Sequence, residues 1–96
     1  MNNPVKSLEY RITKGLTYLD STSRESAEKI LGTIEPILYY KIPIADIEEA
    51  VKDSLESIKN EYHRSLVKTM LSDIRYTVGL NGYLPEVKEF LKKYQK

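Results

Sequence analysis

The chain has 96 residues, enough for one small domain, with 15 Lys plus Arg against 14 Asp plus Glu and a net charge of +1. That balance excludes binding to nucleic acid by bulk positive charge, and the absence of cysteine with a single histidine excludes a disulfide framework, thiolate or histidine-rich metal sites and a cysteine nucleophile. No apolar run approaches the roughly 20 residues of a membrane span and no apolar signal core opens the chain, so the expectation is one cytoplasmic domain over 1–96 with no membrane partner.

The first helix is marked by Asn3 as N-cap and Pro4 at the first helical position. Val5, Leu8, Ile12, Leu16 and Leu19 follow at spacings of three and four, a narrow apolar stripe from which Lys6, Arg11 and Lys14 point away. Gly15 borders the stripe and suits the close approach of a neighbouring helix. After a break at Asp20 to Ser23, Thr22 and Glu25 have capping-box spacing for a second helix. Its buried face is Ala27, Ile30, Leu31, Ile34 and Leu38. Pro36 cannot donate to the carbonyl of Gly32 and crowds it, so the helix either ends near Ile34 or continues kinked to about Tyr40. The apolar spacing runs on through Leu38, which favours the kink.

Lys41 to Pro43 is the next break. Ile44, Ile47, Val51, Leu55 and Ile58 form one stripe, and Tyr62, Leu66, Val67, Met70, Leu71, Ile74 and Val78 form another. No glycine or proline separates them, yet at about 100° per residue their centres differ by roughly 130°. A break around Lys59 to Glu61 resolves the mismatch. Gly79 suits a left-handed C-cap for the fourth helix, and Pro85 opens a last helix carrying Leu84, Val87, Phe90, Leu91 and Tyr94. No segment alternates with period two. The expected fold is all-α: a bundle of about five helices, kinked or broken near Pro36 and near Lys59–Glu61.

Catalytic templates fail for lack of parts. There is no phosphate-binding glycine motif and no HExxH, and His63 is the sole imidazole. His63 lies in the apolar stripe of the fourth helix, which favours a structural side chain with a hydrogen-bond partner over a catalytic base. Neither enzyme activity, nor a cofactor, nor a metal is expected. Asp46, Glu49, Asp53 and Glu56 recur at spacings of three and four on the third helix, beside Glu48. They suit a solvated face or an acidic docking stripe better than a metal site, because one exposed helix rarely supplies converging ligands.

Charge is segregated along the chain. Residues 44–61 hold six acids and two bases, and residues 62–96 hold three acids and seven bases. Arg64, Lys68 and Arg75 share one side of the fourth helix, and Lys88 and Lys92 follow on the last. Eight tyrosines and no tryptophan are present. Tyr76 lies off the main stripe, where an aromatic with a polar tip suits a protein interface. Enrichment in Lys and Glu with a single Gln matches hyperthermophile usage and an ordinary small protein equally.

These features point to a non-catalytic helical interaction module or accessory subunit that binds another protein. Candidate contacts are Arg64, Lys68, Arg75, Lys88, Lys92, Asp46, Glu49, Asp53, Glu56 and Tyr76. The alternative is nucleic-acid binding, through a helix-turn-helix-like 44–78 or as a backbone-contacting subunit of a nucleic-acid-processing assembly. The acidic helix that would then cross the phosphates argues against it. A homo-oligomer is compatible with the narrow stripe of the first helix.

Overall fold

The computed structural model describes residues 3–95, and among these there is no strand. Six α-helices follow in chain order: α1 (Pro4–Thr17), α2 (Ser21–Ile34), α3 (Ile44–Ala50), α4 (Lys52–Glu56), α5 (Glu61–Val78) and α6 (Leu84–Leu91). Short 3-10 turns lie at Glu35–Ile37 and Lys92–Tyr94. The expected all-α bundle is the fold, with six helices rather than five because the third stripe divides.

α5 is the hub. It is the longest helix and packs against α1, α2, α3, α4 and α6. Met70, Leu71, Ile74 and Val78 from α5 meet Leu8 and Ile12 of α1, Ile30 and Leu31 of α2, and Val87 and Leu91 of α6 in one apolar core. Leu66, expected in the core, is only partly buried at its edge. Asn3 caps α1 as expected, its Oδ1 accepting from the backbone N–H groups of Val5 and Lys6.

α2 begins differently from the expectation. Asp20, not Thr22, is its N-cap and accepts from the Ser23 N–H at 2.8 Å. α2 also stops at Ile34 instead of running kinked to Tyr40. The chain makes one 3-10 turn through Pro36 and is extended at Leu38 (φ −70°, ψ 135°). Leu38 still reaches the core, but from extended backbone, which is why its helical spacing misled.

Pro36 leaves the Gly32 carbonyl without its helical donor, and Gln95 Nε2 supplies one at 3.1 Å. The same amide nitrogen donates to Glu35 Oε1 at 3.0 Å. Glu35 is buried, and Lys88 Nζ meets its Oε2 at 3.2 Å and its backbone carbonyl as well. These contacts fasten α6 and the C-terminal turn over the end of α2.

The third stripe bends at Val51 (φ −120°, ψ 20°), which separates α3 from α4. The expected break near Lys59–Glu61 falls at residues 57–60, with Asn60 as the N-cap of α5 accepting from His63 N–H at 3.0 Å. Gly79 is right-handed (φ −72°), contrary to expectation. The left-handed glycine is Gly82 (φ 91°), in the turn before α6.

Two glycines make contrasting contacts. A Cβ on Gly32 would lie 2.7 Å from the Tyr94 carbonyl oxygen and 3.0 Å from its carbon, so backbone would have to move. A Cβ on Gly15 would meet only the flexible end of Met70. Helix propensity favours alanine at both by about 1 kcal/mol. Gly32→Ala should nevertheless destabilise, since crowding of this kind costs about 1–3 kcal/mol. Gly15→Ala should leave the denaturation midpoint near wild type or raise it. A Gly32→Ala midpoint at or above wild type would show that the C-terminal turn is not held against α2.

Candidate functional site

The residues singled out from the sequence do not converge on one surface. Glu49, Glu56, Arg64 and Lys68 line a shallow groove of about 590 Å³ between α3–α4 and α5, together with Glu48 and Lys52. Acids and bases therefore face each other across one groove, and their fields largely cancel. Arg64 is also engaged within the fold: its Nη1 donates to the Ile58 carbonyl at 2.6 Å, and Glu61 lies 3.9 Å from Nη2. Asp46 and Asp53 do not line this groove. They sit in the first turns of α3 and α4, where a carboxylate favours the helix dipole.

Lys88 is held by Glu35, and Lys92 lies 3.6 Å from Glu89. Arg75 is half-buried near the C-terminal end of α5. Tyr76 is 67% exposed on the opposite flank of α5.

A second groove, of about 750 Å³, lies between α2, α4 and the C-terminal turn. Its walls are hydroxyls and charges, with Ser26 Oγ 3.3 Å from Ser57 Oγ. Burial pushes the Tyr94 phenol above its ordinary pKa, and the nearby Glu28 and Glu9 push in the same direction.

His63 joins the N-termini of α5 and α2. Its Nδ1 lies 3.2 Å from Asp20 Oδ2 and 3.4 Å from Ser23 Oγ. Serine, histidine and aspartate thus meet, but both partners address the same ring nitrogen. A catalytic triad needs the carboxylate on one nitrogen and the nucleophile on the other. Ser23 is also 5% exposed, leaving a substrate no approach. Among the described residues no cluster of three or more His, Asp or Glu side chains could hold a metal ion.

The structure brings forward a surface that the sequence reading did not single out. α1 and α5 lie side by side and antiparallel: Arg11 donates from Nε and Nη2 to Asp73 at 2.7 and 2.9 Å, and Gly15 faces Met70. On the solvent side of this pair, α1 and its C-cap present Lys6, Tyr10, Lys14 and Tyr18 at steps of four, all exposed. α5 presents Tyr62, Ser65, Thr69, Ser72 and Tyr76 at steps of three and four, also all exposed. The four tyrosines are 59–70% exposed, two in each row. Neither row contains a carboxylate, although the chain has 14. The spacing of both rows was available in the sequence; their adjacency depends on the α1–α5 packing.

Asp20 provides a pH test of this end of the bundle. Accepting the Ser23 N–H holds its carboxyl below the ordinary carboxylate range, with His63 a smaller contributor in the same direction. A lowered folded-state pKa stabilises the fold above the unfolded carboxylate pKa. That contribution is lost as pH falls through the folded value. Asp20→Ala should lower stability at neutral pH and flatten the loss of stability below about pH 4. An unchanged acid profile in urea titrations at several pH values would remove Asp20 from this role.

Comparisons with protein-family models, curated proteins and solved structures gave no match, so the surface chemistry of the chain itself carries the functional reading.

Proposed function

We propose that this protein is a non-catalytic helical interaction module, and that the solvent face of α1 and α5 is where it docks another protein. The observation that carries this reading is the pair of rows on that face. Four well-exposed tyrosines and three small hydroxyl residues occupy it in a chain whose surface is otherwise dense in charge. Tyrosine gives large contact area at low conformational cost and a polar tip that tolerates water before binding, and protein interfaces are enriched in it. Arg11 and Asp73 form a two-bond charge-assisted pair across the seam between the helices.

Nucleic-acid binding through 44–78 draws less support. Arg64, the arginine nearest the start of a would-be recognition helix, donates to the backbone, and Glu48, Glu49 and Glu56 share the groove with Lys68. Such a site would repel a phosphate backbone on one side while attracting it on the other.

The test uses a partner recovered by tagged capture from the source organism and then purified. Tyr62→Ser combined with Tyr76→Ser should weaken its binding at least tenfold, about 1.4 kcal/mol. Both side chains are exposed, so stability should shift by less than about 0.5 kcal/mol. Lys68→Ala, on the groove flank, should change affinity by under about twofold. Unchanged affinity in the double tyrosine variant would reject this face as the docking surface.

A further inference from the structure

We infer that the C-terminal turn, Lys92–Gln95, is a strap that closes over the end of α2 and releases from it as a unit while the six-helix core stays folded. Its latch is the side-chain amide of Gln95, and its position sets one wall of the groove between α2 and α4. Four observations carry this.

The first is what the turn leaves out of the core. None of its residues is buried, and the buried apolar cluster ends at Leu91. Lys92, Lys93 and Gln95 are exposed. Tyr94 packs partly against the cluster, edge-on to Phe90 with ring centres 5.7 Å apart. A segment that buries so little opens at a small fraction of the free energy of global unfolding.

The second is the latch. Gln95 Nε2 donates both to the Gly32 carbonyl, at 3.1 Å, and to Glu35 Oε1, at 3.0 Å. The backbone N–H of Gln95 donates to the Lys92 carbonyl at 3.0 Å, so the turn holds its own shape and moves as one piece.

The third is that release strands nothing. Glu35 keeps Lys88, which sits on α6 and meets Oε2 at 3.2 Å. The Gly32 carbonyl, on a residue that lines the groove, exchanges the amide for water. Such an exchange is nearly balanced, whereas a buried acceptor left without any donor is strongly unfavourable.

The fourth is the seat. The Tyr94 backbone lies on Gly32, where a Cβ would come within 2.7 Å of the Tyr94 carbonyl oxygen. The strap therefore has one defined closed position. In it Tyr94 and Gln95 line the groove of about 750 Å³ together with Ser26, Ser54 and Ser57. On release that wall is gone, and the Gly32 carbonyl and Glu35 Oε1 face solvent. Closure of this kind is a hinge motion of a short segment against a fixed body.

The test uses fluorine resonances of the full chain. Phe90 is the only phenylalanine, so a fluorinated phenylalanine places one resonance beside the Tyr94 ring. Tyr94→Ala, which removes that ring, marks the open position. Gln95→Glu sets a carboxylate against two acceptors, and Gly32→Ala fills the seat. Each should carry the resonance at least half of the way to the open position. The Leu71 and Ile74 amides of α5 should keep their native shifts, and the Ser26 and Ser57 amides should move. In the wild type the resonance should drift toward the open position on warming, before the Leu71 and Ile74 amides lose their native shifts. A resonance fixed at the wild-type position in either variant would reject the latch or the seat. Movement only together with loss of the native Leu71 and Ile74 shifts, on warming or in the variants, would make the turn a fixed part of the core. So would failure of the variants to fold. Unmoved Ser26 and Ser57 amides would overturn the control of the groove.

Discussion

The fold turns on a missing amide. Pro36 cannot donate to the Gly32 carbonyl, so α2 ends at Ile34 and one buried acceptor is left over. The only glutamine of the chain closes that gap from residue 95. In doing so it joins a small polar network in which Glu35, buried against α6, is met by both Lys88 and Gln95. A buried carboxylate without partners would be costly, so the network binds α6 and the C-terminal turn to the middle of the chain. Gly32 makes the closure possible, because nothing larger fits between α2 and the Tyr94 backbone. Sequence positions 32, 35, 88 and 95 thus form one unit.

A repeated local device sets two of the helix junctions. Asp20 caps α2, and Arg24, four residues on, donates to the Leu16 and Leu19 carbonyls at the end of α1. Asn60 caps α5, and Arg64, again four residues on, donates to the Ile58 carbonyl behind it. In each case the cap satisfies the new helix and the arginine satisfies the old one. His63 then ties the two caps together through Asp20. Arg64 was legible as a surface base only while the carbonyl it reaches was out of view.

That contrast describes what the sequence could reveal. Features set by nearby residues were readable: the Asn3 cap, the apolar stripes of α1 and α5, and the phase mismatch that requires a break before Glu61. Features set by distant residues were not. The spacing to Leu38 imitates a helix because the core accepts that side chain from extended backbone equally well. Val51 bends the third stripe with no glycine or proline to announce it, and of the four acids on that stripe Glu49 and Glu56 line the groove while Asp46 and Asp53 do not. Lys88 has the same surface-like appearance as Lys92 in the sequence, and only the fold distinguishes the lysine that closes on Glu35 from its neighbour.

The distribution of charge follows from the same packing. α3–α4 and the groove side of α5 carry opposite signs, and antiparallel connection through residues 57–60 brings them together, so the segment imbalance of the sequence closes on itself. In the C-terminal turn Lys93 lies over the Phe90 and Tyr94 rings and Lys92 meets Glu89, while Lys88 of α6 meets Glu35. On the α1 row Lys6 and Lys14 alternate with Tyr10 and Tyr18. A row that only had to stay solvated would be served by charge of either sign, as elsewhere on this surface. The exposed tyrosines on this two-helix face bury little of their area in the isolated domain. On the proposed reading, their contribution comes when a partner covers them, because a tyrosine buries a large area while its hydroxyl keeps a polar contact.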